Sequence, residues 1–214
     1  TWQSKISGGV SCFSSIRSGL EDEQTSKAFV SLSSKALTKN HCELSDLLFQ
    51  TLNNIKLTES KRLADLIEQI CARKESSITG QGHSLAMSLA SSGFSPTAKI
   101  MHNFSGLESI KQIKSIRESI SNEEYLDELL EKFKALHEIL ICSPLQLLTI
   151  TESEEQEKAI SALNSIWTNN CDTPNNQTDF FLPKTRMKLT EAWTTSTQVN
   201  FCAKAFPTVP SKNE

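Results

Sequence analysis

Apolar positions along the chain change their spacing twice. In residues 9–16, Val10, Cys12 and Ile16 alternate with serines, the period-2 pattern of a half-buried strand, although Phe13 breaks the strict alternation. A polar stretch at 19–23 and a second run at 28–34 complete a predicted β-hairpin. Helical spacing then takes over. Asn40 and Glu43 form the pattern of a capping box ahead of Leu44, Leu47, Leu48, Leu52 and Ile55. A second helix starts at Thr58-Glu59 and carries Leu63, Leu66, Ile67, Ile70 and Cys71 on one stripe. A third, shorter helix is expected from Gly82-His83 to Gly93, small along one side at Ala86 and Ala90. Ser95-Pro96 reads as the cap and first residue of the next helix. Leu107, Ile110, Ile113, Ile116 and Ile120 stripe the one after Gly106, and Ser121 with Glu124 caps a long helix from Leu126 to Leu140.

The pattern changes again at Ser143-Pro144. Residues 145–150 read as a strand, 154–167 as a helix using Ile160, Leu163, Ile166 and Trp167, and 168–185 as a polar loop. Two further strands are expected at 187–194 and 198–206. The order is that of an α+β chain, with a boundary near residue 143.

Composition narrows the function classes. With 22 Lys+Arg against 25 Asp+Glu, a net charge of -3 and no basic block, the chain is not built to neutralise phosphate, which counts against a nucleic-acid partner. No apolar run approaches the roughly 18–20 residues of a transmembrane segment. There is no initiator Met and no signal-peptide core at the start, and the end stops just after a predicted strand, so a piece of a longer protein is expected. Nothing in the chain states a compartment. The six cysteines contain no C-x-x-C pair, and Cys42, Cys71 and Cys142 fall in or at the ends of helical patterns, so buried free thiols are expected rather than a disulfide framework.

Candidate chemistry is sparse. His137-Glu138 invites comparison with H-E-x-x-H, but Ile141 stands where the second imidazole is needed, and H-x-x-E-H occurs nowhere. Gly80-Gln81-Gly82-His83 lacks the Lys-Ser or Lys-Thr of a phosphate loop and reads as a turn that starts a helix. The acidic clusters Glu152–Glu157 and Glu123–Glu131 suit a helix N-terminus and a solvated face. The residues therefore offer neither a catalytic set nor metal ligands.

Several segments in order nevertheless resemble a family. Ser7-Gly8-Gly9-Val10-Ser11, Leu32-Ser33-Ser34-Lys35-Ala36-Leu37, Gly82-His83-x-x-Ala86, Phe104-Ser105-Gly106-Leu107 and Val199-Asn200-Phe201-Cys202-Ala203-Lys204 are similar to the C-terminal half of the presequence-protease group of pitrilysin/insulinase-type (inverzincin) zinc metallopeptidases. Ser34 departs from the glycine expected there, and the loop at 168–185 has no counterpart. The resemblance implies a pitrilysin-like α/β roll within a two-half clamshell. Residues 1–142 would be most of its helix-rich third domain and 143–214 the start of its fourth. The zinc, its ligands and the Glu general base would lie in the N-terminal half, outside this chain, and an Arg and a Tyr assisting the reaction would follow it.

The implied role is the non-catalytic half of a closed chamber that degrades unfolded oligopeptides, inactive as this piece alone, with the N-terminal half of the parent as its partner. Closure would gain rate by positioning and water exclusion around a zinc-activated water. Gly8, Gly9, Val10 and Ser11 resemble a degenerate copy of an edge strand that pairs with substrate backbone, and would line the chamber wall. Two other readings remain open: a non-catalytic structural protein of the same fold, and an unrelated α+β interaction scaffold.

Overall fold

Some helices start at a local capping signal and others are held by what packs on them, in a computed structural model covering residues 2–167, 181–195 and 198–208. A short helix, α1 (Trp2–Ile6), is closed by the Ser7 N–H and hydroxyl, both donating to the Gln3 carbonyl at 3.0 Å. Gly9 then turns the chain into β1 (Val10–Ser18), which pairs with β2 (Ser26–Ser34) in a two-stranded sheet. The predicted strands at 9–16 and 28–34 match these, except that Gly9 falls outside β1 and each strand runs two residues further toward the hairpin tip. At the tip, the Gly19 N–H donates to the Thr25 carbonyl and Asp22 accepts from the Gln24 N–H at 2.9 Å.

After a single 3-10 turn, α2 (His41–Asn53) begins without the expected capping box. The Asn40 amide instead donates to the Ile6 carbonyl at 3.1 Å, so the side chain that would cap α2 ties down α1. The largest correction concerns α3 (Ser60–Ser91), one continuous 32-residue helix where two were expected. Gly80 and Gly82 lie inside it. Interior glycines cost about 0.5–1 kcal/mol each relative to alanine. Gly82 is buried, and the Phe201 ring lies where its side chain would project. The glycine is thus a seat for an aromatic ring and not a helix break.

Next come α4 (Pro96–Ser105) and α5 (Leu107–Ser119), jointed at Gly106, whose N–H closes on the His102 carbonyl at 2.8 Å. Ser95 caps α4 as expected, accepting from the Ala98 N–H at 3.2 Å. The long helix α6 (Glu123–Ile141) is capped one residue later than predicted: Asn122, not Ser121, accepts from the Glu124 N–H at 2.9 Å. Finally α7 (Gln156–Trp167) follows a 3-10 turn at Ser153–Glu155.

The chain divides into two compact units. One comprises Thr1–Ser15, Phe29–Thr58 and Leu130–Thr178. Its core sets α2 on α7: Leu47, Ala159, Ala162 and Trp167 are buried, Phe49 meets the Trp167 ring edge-on at 5.3 Å, and the Ser45 hydroxyl donates to the Ala162 carbonyl. The other comprises Ile16–Ala28, Glu59–Leu129 and Asp179–Glu214. There Ile67, Ile120 and Leu126 form a buried cluster ringed by Leu63, Ile113, Ile116 and Leu129. Glu75 on α3 reaches Lys114 at 2.9 Å and Arg117 at 3.3 Å on α5, and these cations hold its carboxyl below the usual range.

The strands expected at 145–150, 187–194 and 198–206 do not form among the described residues. A strand needs a neighbour to take its backbone N–H and C=O groups, and β1 and β2 pair only with each other. Leu148 and Ile150 are 86% and 90% exposed, the apolar run of a strand with no sheet beneath it. The segment resembling a last-domain strand, 199–204, packs its Phe201 on Gly82 instead. Most of the predicted loop at 168–185 lies outside the described residues. Cys71 is a buried free thiol, whereas Cys12, Cys42, Cys142 and Cys202 are exposed ones, because their positions fall on solvent faces. Among the described residues no helix is long and apolar enough to cross a membrane.

Candidate functional site

The segment singled out by sequence, Gly8 to Ser11, is where the chain swings from α1 into the sheet. Gly9 has φ of 102°, a left-handed conformation that side chains other than glycine's rarely adopt. Its neighbours hold it from both sides. The Gly8 N–H donates to the Lys35 carbonyl at 2.8 Å, extending the hairpin by one rung, and the Ser34 hydroxyl donates to the Gly9 carbonyl at 2.8 Å. The serine that departs from the family pattern is therefore a clamp on the glycine it faces. Gly8, Gly9 and Ser11 are exposed and Val10 is half-buried. One edge of β1 is filled by β2. Along its other edge no strand is paired among the described residues.

The other motifs dissolve into structure. His137 Nε2 lies 2.6 Å from the Leu52 carbonyl, joining α6 to the end of α2, and His83 is exposed on unbroken α3. Among the described residues no group of three or more His, Cys, Asp or Glu side chains could hold a metal ion. A zinc site does not fit these residues.

Sequence reasoning missed a cleft of about 260 Å³ in the second unit. Its walls include Lys99, His102 and Asn103 of α4, Glu108 of α5, and Glu191 and Trp193 from the irregular strap at 181–195. The strap is held by the hairpin tip: Gln24 accepts from the Thr185 N–H and donates to the Phe94 carbonyl, and Arg186 pairs with Glu23 at 2.8 Å. A further bond runs from the Met187 N–H to the Gly93 carbonyl at 2.9 Å. His102 is 3% exposed and its Nδ1 has no partner. Burial, aided by the nearby Lys99 charge, pushes its pKa below the ordinary histidine value, against the weaker pull of Glu191 and Glu108. From α3, Lys74 donates to the Phe104 carbonyl and the Ser109 hydroxyl, bracing the α4–α5 joint, and its burial lowers its pKa.

Comparison with known proteins decides the family. The model of the family described as peptidase M-16C associated matches residues 1–116, from α1 through most of α5. The chain belongs to that family. The matched region carries both Gly8–Gly9 and the α4–α5 joint. Among similar curated proteins is the mitochondrial presequence protease of Schizosaccharomyces pombe, 27% identical over 136 residues, which cover 64% of this chain and 13% of the relative. The mitochondrial presequence proteases of Danio rerio (29% over 111 residues, 52% and 11%) and Xenopus laevis (27% over 170 residues, 72% and 17%) are likewise similar. The chain thus spans between about a tenth and a sixth of the length of these relatives. Within the pitrilysin/insulinase peptidases it is of the presequence-protease type, as its ordered motifs suggested.

Proposed function

We propose that this chain is part of the non-catalytic half of a zinc-dependent, oligopeptide-degrading metallopeptidase, with residues 1–142 in its third domain and 143–214 opening its fourth. In this reading Gly8, Gly9, Val10 and Ser11 form a strip of chamber wall along which the backbone of an unfolded peptide lies. The observation that carries it is the second edge of β1, which no described strand fills, in a chain of this family. Backbone pairing suits such a wall because it is indifferent to side chains, as a peptidase for varied unfolded peptides requires. The zinc, and the half that holds it, lie elsewhere in the parent. This chain's part is to exclude water and folded proteins and to position substrate.

The test is amide hydrogen exchange in the full-length parent, loaded with a substrate peptide after zinc removal by chelation. Exchange across residues 8–15 should slow with peptide present, while chelation abolishes hydrolysis. Unchanged exchange across 8–15 would remove the wall assignment. Hydrolysis that survives chelation would remove the metallopeptidase reading, in favour of other chemistry on the same fold.

A further inference from the structure

The cleft beside His102 contains two charges of opposite sign that do not neutralise each other. Lys99 stands one turn before His102 on α4, and Glu108 lies in the first turn of α5. Neither makes an ion pair with a described residue. Glu191 brings a second carboxylate, held by the Trp193 indole N–H at 3.0 Å. Charges that served only to join α4, α5 and the strap would close on each other, as Glu75 does with Lys114 and Arg117. Here no ion pair forms between Lys99 and either carboxylate, although all three line one cleft.

We infer that this cleft binds a small zwitterion, a free α-amino acid or dipeptide. Its ammonium faces Glu108 and Glu191, its carboxylate faces Lys99 and the Asn103 amide, and its side chain lies along Trp193. A ligand with one charge would leave the opposite wall unanswered; Lys99 and Glu108 are half-buried, where a direct partner gains more than it does for the exposed Glu191. Size agrees. About 260 Å³ falls below the roughly 300–1,000 Å³ of sites for drug-sized ligands, leaving room for one or two residues. The neutral state favoured for the buried imidazole keeps His102 from competing for the carboxylates. The indole is held in place, since its N–H is already bonded to Glu191. The inference rests on the cleft's own charges and stands whether or not peptides bind at Gly8–Ser11.

Titration of the full chain with leucyl-leucine, read by Trp193 fluorescence and the ring resonances of His102, tests it. A Trp193→Phe variant assigns the fluorescence. A saturable shift is expected. Leucinamide (cation only), acetyl-leucine (anion only) and acetyl-leucine amide (uncharged) should each bind about tenfold or more weakly, the size of one lost charged hydrogen bond. In Lys99→Met the dipeptide should lose its advantage over leucinamide, and in Glu108→Gln its advantage over acetyl-leucine. A singly charged or uncharged analogue that binds as tightly as the dipeptide overturns the inference, as does a titration without saturable shift. Because the analogue series uses the unaltered chain, the outcome does not depend on either variant folding.

Discussion

A buried imidazole with one nitrogen unpartnered is a pH-dependent liability, and His102 is one. Unfolded, it titrates near the ordinary value of about 6.5. Folded, burial and Lys99 place its pKa lower, with Glu191 and Glu108 opposing. Between those two values the unfolded chain binds the proton more tightly, so stability is whole above about pH 6.5 and declines as pH falls toward the folded pKa. Thermal unfolding followed from pH 7.5 to pH 5 should show this decline, and His102→Asn should flatten it. A variant with the same slope as the parent would assign the pH response to other groups. Gly9 shows how far a single residue was legible in sequence. The alternating pattern counts it into the strand run at 9–16, whereas its φ of 102° makes it the turn ahead of β1. That Ser34 would clamp Gly9 was not legible, because 25 residues separate them and only the pairing of β1 with β2 brings them together.

Helix ends are where local chemistry makes the clearest claims. Ser95 accepts from the Ala98 N–H and Pro96 needs no donor partner at the first helical position, so α4 starts from its own sequence. Ser95→Ala should cost about 1 kcal/mol in denaturant-unfolding free energy; a loss within error of zero would mean that packing alone sets this end. The two supposed capping boxes fared differently for a nameable reason. Asn40 and Ser121 had the right residue types, but Asn40 found the Ile6 carbonyl and Asn122 reached the end of α6 first. Helices were legible because their periodicity lies within a few neighbouring residues. The join through Gly82 was not, since it depends on a phenylalanine 119 residues later, and the three unformed strands had apolar runs whose hydrogen-bonding partners no local pattern can supply. The cleft escaped notice likewise, because Glu191 and Trp193 reach α4 from a distant strap.

For the molecule as a whole, stability should be uneven. The second unit's cluster of Ile67, Ile120 and Leu126 is buried, whereas Phe13, Phe29 and Val30 on the hairpin are 53%, 43% and 47% exposed. A two-stranded ribbon is marginal by itself. Native-state amide exchange should therefore be slowest in α3 around Ile67–Cys71 and faster in β1 and β2; equal protection in the two regions would contradict this. Gln24 adds a consequence about order in time. Its one amide group joins the carbonyl of Phe94 to the N–H of Thr185, across sequence separations of 70 and 161 residues. Each unit is likewise stitched from three separate stretches of chain. On a ribosome the hairpin emerges before the strap, and a further 161 residues must be added before that bond can form. Closure of the second unit is thus deferred until the strap has been made, and until then its apolar faces are open to chaperones.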